Sequence, residues 1–185
     1  MPPPRRHLPA SRQNRGFTIV EAMVYGALLM SLSALGFHSM RAFLEERKLH
    51  VAAVELSAYL EIARSVALTD ETPCVIAMTN SNGGVFGVDS SVPNNSCRAG
   101  KIIPSLNLRD VSGITNLRVS LLPGSGTFPL TFYPEGTTRD GATAVLSSPD
   151  VTSGAWCVDV QAPLARVRTG WRANGSNTCH YGLEQ

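Results

Sequence analysis

The feature that most constrains this chain is an uncharged run of 19 residues, Ala22 to Met40, that begins directly behind Glu21. As a helix rising 1.5 Å per residue the run is about 28 Å long, close to the hydrocarbon thickness of a bilayer. Its length and composition therefore predict a helix that spans a membrane or is buried against other chains. Glu21 then sits at the apolar edge, at a cost of about 2 to 3 kcal/mol at depth unless a cation pairs with it. A partner for its carboxylate is expected.

The head of the chain carries Arg5, Arg6, Arg12 and Arg15 and no acid. A basic head before an apolar stretch also describes a secretory signal peptide. Three features argue for retention instead. The run is longer than an ordinary signal core and has no small-x-small cleavage site, and the helical pattern continues straight through its end. With those residues in view, Gly16-Phe17-Thr18-Ile19-Val20-Glu21 resembles the processing site of type IV pilins and type II secretion pseudopilins.

The resemblance implies cleavage after Gly16 by a prepilin peptidase on the cytoplasmic side, and methylation of the new amino terminus at Phe17. Glu21 would be the fifth mature residue, and in a filament it would pair with the terminal amine of a neighbouring subunit, which offsets its desolvation. The implied partners are the peptidase, other pilin or pseudopilin subunits, and the bacterial inner membrane, crossed once by the precursor. The implied destination is a periplasmic or cell-surface filament. Where many pilins have a helix-kinking proline, this chain has His38.

Beyond Met40 the helical period continues. Leu49, Ala52, Leu56, Tyr59, Leu60, Ala63, Val66 and Ala67 recur at spacings of three and four, while Glu45, Arg47, Lys48, Glu55, Glu61 and Arg64 mostly fall off that stripe. One helix is expected from about Phe17 to Leu68, stopped by Thr72-Pro73. From Cys74 the pattern changes to short apolar runs, "CVIAMT", "GVFGV", "NLRVSLL", "LTFY", "TAVLS", "AWCVDV" and "ARVRTGW", divided by turns such as Asp140-Gly141 and Asn174-Gly175. Residues 93–104, "PNNSCRAGKIIP", are expected to be an exposed loop.

The fold class is thus α+β, a long amino-terminal helix packed against an antiparallel sheet or pair of sheets, the pilin fold in the terms of the resemblance. Three parts are expected: a cleaved leader (1–16), a transmembrane or filament-core helix (17–43), and a globular domain (44–185) that is helical to about residue 70 and β-rich beyond.

Composition bounds the partners. The formal charge is +2, from 16 Lys and Arg against 14 Asp and Glu; without the four leader arginines the balance is 12 against 14, so the chain beyond the leader is slightly acidic. Nucleic-acid binding would need a local patch. Cys74, Cys97, Cys157 and Cys179 show no C-x-x-C and no histidine at zinc-site spacing. They come after the anchor, on the exported side, where an even count reads as two disulfides. Of three pairings, Cys74 with Cys97 and Cys157 with Cys179 are favoured because each closes a short loop, worth about 3 kcal/mol. Buried free thiols are the alternative.

No G-x-S-x-G, H-E-x-x-H or phosphate loop occurs, and the four histidines, His7, His38, His50 and His180, are scattered. A non-enzymatic protein with no cofactor and no metal is expected. The second half narrows the resemblance to the GspH/FimT branch of pilin-like proteins. It rests on "LSAYLEIARSVALTDETPCVIAM", on the Phe-x-x-x-Gly from Phe132 to Gly136, and on a terminal strand pair that ends near Gly-Arg-x-Arg, with Ala165 in place of the glycine.

In FimT-like members that Arg-x-Arg is associated with DNA binding in natural transformation. Here Arg166, Arg168 and Arg172 lie within seven residues, with Trp171 among them. Strand alternation puts Arg166 and Arg168 on one face, and guanidinium groups beside an aromatic ring suit a nucleic-acid backbone. The competing reading is a solvated strand face with Trp171 in the core. The sequence thus expects a minor pilin or pseudopilin of a type IV pilus or type II secretion system. Its alternatives are a DNA-binding minor pilin acting in uptake, and a singly anchored exported domain that never assembles.

Overall fold

The computed structural model describes residues 18–79, 84–89, 91–92, 95, 97, 103–122 and 126–182, with residues 34–39 described by backbone alone. Helix α1 (Ile19–Thr69) is followed by β1 (Cys74–Thr79), β2 (Val85–Val88), β3 (Leu106–Asn107), a short α2 (Leu108–Ser112), β4 (Arg118–Leu122), β5 (Thr127–Phe132), β6 (Ala142–Ser147), β7 (Gly154–Gln161), β8 (Arg166–Ala173) and β9 (His180–Tyr181). Contacts divide the chain at Met40–Arg41 into two units.

In the amino-terminal unit, α1 begins at a cap. The Thr18 hydroxyl accepts a hydrogen bond from the Glu21 N–H at 3.3 Å, satisfying one of the donors a helix start leaves open. The Ser31 and Ser33 hydroxyls donate to the Ala27 and Leu29 carbonyls at 2.9 and 2.7 Å, so neither presents an unsatisfied donor to apolar surroundings. The apolar side chains are open: Ile19, Val20, Met23, Leu29, Met30 and Leu32 are all more than 60% exposed. Among the described residues no helix is long and apolar enough to cross a membrane. The expected span also takes in the side chains of residues 34–39, which lie outside the described residues.

The second unit has its own core. Leu49, Ala52, Ala53, Leu56, Leu60, Ala63 and Ala67 of α1 are wholly buried, and Tyr59 nearly so. Apart from Ala53, which the sequence reading did not include, this is the stripe read from the sequence, with Val66 half-buried at its edge. One apolar cluster joins it to Ile76 and Met78 of β1, Phe86 of β2, Leu130 and Phe132 of β5, and Leu146, Val158 and Val160 of the other sheet. Each large side chain buried in this way contributes about 1.5 to 3 kcal/mol before entropy is counted.

The helix ends one residue past the expected point. Its last turn closes through the Asp70 N–H on the Val66 carbonyl at 2.9 Å, and the chain turns away at Glu71, whose φ of 51° is the left-handed exit common after helices.

The strands form two antiparallel sheets, of order β3-β2-β1-β5 and β4-β6-β7-β8-β9. All seven expected runs contain a strand; β3, α2 and β9 were not foreseen. The Phe132 to Gly136 segment is a turn, with the Gly136 N–H donating to the Tyr133 carbonyl at 2.9 Å. Gly136 has φ 72°, and a Cβ there would come 3.3 Å from Leu68 Cδ2, so glycine answers both the backbone and the helix beside it. Ala165, where the resemblance places glycine, is wholly buried with φ 49°. The backbone explains the glycine, and Ala165 holds about 1 to 2 kcal/mol of strain.

Residues 93–104 depart from the expected exposed loop. Asn95, Cys97 and Ile103 are buried. The Asn95 carboxamide accepts from the Val75 N–H at 2.9 Å and donates to the Val75 and Asp89 carbonyls, both at 2.9 Å. An amide side chain here continues the edge of β1 where backbone pairing stops, and Cys97 is bonded to Cys74. Two covalent or polar ties hold the segment inward, which polarity of sequence does not reveal. Pro104 is exposed as expected, and residues 93–94, 96 and 98–102 lie outside the described residues.

Candidate functional site

Gly16 and Phe17 lie outside the described residues. Glu21 stands in the first turn of α1, exposed. A carboxylate at this position faces the positive end of the helix dipole, and its side chain is open to a partner from another molecule.

Both favoured disulfides are present, Cys74–Cys97 with Cα atoms 5.1 Å apart and Cys157–Cys179 at 6.3 Å. The second bridges β7 to the segment leading into β9, and so it fixes the sheet edge beside β8.

The register of the second sheet decides what β8 presents. Val160↔Val167, Val158↔Thr169 and Trp156↔Trp171 alternate with Gln161↔Arg166, Asp159↔Arg168, Cys157↔Gly170 and Ala155↔Arg172. Val158 and Val160 belong to the core cluster, so Thr169 and Trp171 are on the α1 side of the sheet. Arg166, Arg168 and Arg172 are on the other. The sequence-expected pair Arg166 and Arg168 is therefore brought to one face together with Arg172, and Trp171 is not. A strand's period of two separates residue 171 from all three arginines.

The ring that does meet an arginine is Tyr181 of β9, with the Arg168 guanidinium carbon 5.0 Å from its centroid. Arg168 Nη2 also lies 3.7 Å from Asp159 Oδ2, and Asp159 Oδ1 accepts from the Thr143 hydroxyl at 2.8 Å. Burial, and then the Asp159 charge, push the Tyr181 phenol above its ordinary pKa. Arg168 is thus committed to an internal cluster, although its Nε is buried without an acceptor. Among the described residues, Arg166 and Arg172 have no ion pair.

Arg118 shares their face, because β4 pairs Arg118↔Ser147 and Val119↔Leu146, with Val119 and Leu146 inward. Sequence reasoning missed Arg118, Asp159 and Tyr181. Arg118 is distant in the chain, Asp159 looks like any polar strand residue, and the two-residue β9 gives no run to recognise.

On the opposite face, Trp171 meets Trp156 edge-on at 5.4 Å between centroids, and Trp156 lies 4.3 Å from His50 of α1. These rings wall a cavity of about 650 Å³ within the second unit. Among the described residues no group of three metal-ligating side chains occurs.

A family model described as type II transport protein GspH matches residues 52–163. Two crystal structures of the Pseudomonas aeruginosa (strain PAO1) type IV minor pilin FimU are similar to the chain. The crystal form in space group P21 gives a TM-score of 0.51 at 20% identity, covering 75% of this chain and 96% of that one. The P65 form gives 0.46 at 19%, covering 70% and 94%. At such identity the P21 likeness speaks to the fold: a helix on antiparallel sheets. No curated protein sequence matches the chain.

Proposed function

The chain belongs to the family of the type II transport protein GspH, and from that premise we propose that it is a minor pilin or pseudopilin, a non-enzymatic subunit of a type IV pilus or type II secretion pseudopilus. In this reading a prepilin peptidase cuts after Gly16, the amine of Phe17 is methylated, and the protein waits in the inner membrane as a single-pass precursor. It then enters or primes a periplasmic or cell-surface filament with other pilin-like subunits. The observation that carries the reading is the site Gly16-Phe17-Thr18-Ile19-Val20-Glu21 ahead of a helix half whose described apolar side chains are left open within the chain. Such surface needs lipid or other helices.

Coexpression with a prepilin peptidase tests it. Intact mass and terminal sequencing are expected to give a protein starting at Phe17, and Gly16→Ala is expected to block the cut. Cleavage beyond Met40, or none, would sink the pilin reading.

A second reading, DNA binding in uptake, is favoured by one observation: Arg166, Arg172 and Arg118 share a sheet face without ion pairs among the described residues. Contacts made by this face would be to phosphates, hence tolerant of sequence and steeply salt-dependent. Removing Arg166 and Arg172 together by change to Gln is expected to lower the salt slope by about two units. Equal binding by wild type and variant, or no binding at low salt, would leave a solvated sheet face.

A further inference from the structure

The cavity on the α1 side of the second sheet has no part in the functions above, and we infer that it is a binding site for a saccharide. About 650 Å³ falls within the range of small-ligand sites. Its walls are aromatic: Phe43 and His50 stand two turns apart on α1, Trp156 and Trp171 come from β7 and β8, and His180 from β9. Both tryptophans of the chain are there. Polar groups sit among the rings. Arg47 lies with its guanidinium carbon 5.0 Å from the Phe43 centroid, Glu46 accepts from the Ser153 hydroxyl at 3.2 Å, and Thr169 adds a hydroxyl. The buried indole N–H of Trp156 has no acceptor.

Those features select among ligand classes. A wholly apolar chain would strip water from Glu46, Arg47, Thr169 and two histidines and return no hydrogen bonds. A nucleotide would bring a phosphate toward Glu46 while Arg166, Arg172 and Arg118 stand on the opposite sheet face. A neutral sugar fits both demands. Its C–H faces, weakly positive, lie against the negative faces of aromatic rings, and its hydroxyls donate and accept in turn. The cavity offers an acceptor in Glu46, a donor in Arg47, and a group that does both in Thr169. Glu46 and Arg47 also cancel in charge, so the site has no net preference for an ion.

Because both tryptophans line the cavity, intrinsic fluorescence reports on it directly. The full chain, purified in a zwitterionic detergent free of sugar, is titrated with triacetylchitotriose and with maltotriose. A saturable change in emission at roughly millimolar concentration is expected for at least one of them. A response to triacetylchitotriose alone would place an acetamide in the site; a response to both would mean the ring itself is read. Arg47→Ala, which removes an exposed side chain outside the core, and Glu46→Gln are each expected to weaken binding about fivefold or more, because each deletes a polar contact. No saturable change with either sugar, binding unaltered in both variants, or a response to a thymidine tetranucleotide in place of the sugars, would overturn the assignment.

Discussion

Two stretches of the same helix, read side by side, show what this chain completes by itself and what it does not. Between Leu49 and Ala67 one stripe, Leu49, Ala52, Ala53, Leu56, Tyr59, Leu60, Ala63 and Ala67, is buried at 0 to 6% exposure, while Val51, Val54 and Ile62 lie off it and are 44 to 51% exposed. Between Ile19 and Leu32 the large apolar side chains surround the helix, and they remain exposed by half or more. Both stretches are helical and both are rich in leucine, alanine and methionine or valine. The difference is arrangement. A stripe can be covered by one sheet packing, whereas a helix apolar all round needs an apolar environment on every side. The upper stretch is therefore a matter of this chain's stability, and the lower one of what surrounds the chain.

Substitutions in the two stretches sharpen that contrast most. Leu56→Ala removes a wholly buried side chain and is expected to cost about 2 to 5 kcal/mol. Leu29→Ala, at a position 65% exposed, is expected to move the unfolding of the second unit by less than about 0.5 kcal/mol. Urea unfolding monitored by tryptophan fluorescence measures both, since Trp156 and Trp171 lie in the second unit. Equal effects would break the comparison.

The disulfides come next. Each closes a loop of 22 or 23 residues, so replacing Cys74 and Cys97 by Ala is expected to cost about 3 kcal/mol, and Cys157 with Cys179 a similar amount. The same urea series reads it, and a reductant is expected to reproduce the loss.

Tyr59 gives a slightly smaller effect that depends on pH. Burial pushes its phenol up to about 12, and the hydroxyl has no hydrogen-bond partner. An unfolded tyrosine ionises near its ordinary value of 10, so the unfolded chain releases its proton first. The contribution is intact below pH 10 and is lost as pH rises to 12, a total of about 2 to 3 kcal/mol. Tyr59→Phe is expected to flatten that decline. At neutral pH it should be as stable as wild type or more so, because an unsatisfied buried hydroxyl is gone.

The sequence carried the long helix, its buried stripe, every substantial strand and both cysteine pairs, because each depends on local period or on short loop closure. It did not carry which face of the second sheet a residue lies on relative to distant strands. Arg118 joins Arg166 and Arg172 only through the pairing of β4, β6, β7 and β8, a matter of register. Trp171 looked like a neighbour of the arginines because it is one in the chain, yet alternation turns it to the other side. Asn95 was invisible for a related reason. Its amide substitutes for a strand, and only the end of β1 shows that a substitute is needed.

The most direct test of subunit pairing concerns Glu21, exposed at the head of the helix half whose described apolar side chains are open. If neighbouring subunits complete that half, the carboxylate pairs with a terminal amine during assembly, and losing it leaves a charge unpaired in apolar surroundings. The measurement is the fraction of processed Glu21→Ala protein recovered in sheared filaments beside wild type, with both made at equal levels alongside a prepilin peptidase and the other subunits. Such pairing predicts normal cleavage to Phe17 and incorporation lowered about tenfold or more. Cleavage and incorporation both equal to wild type would contradict it.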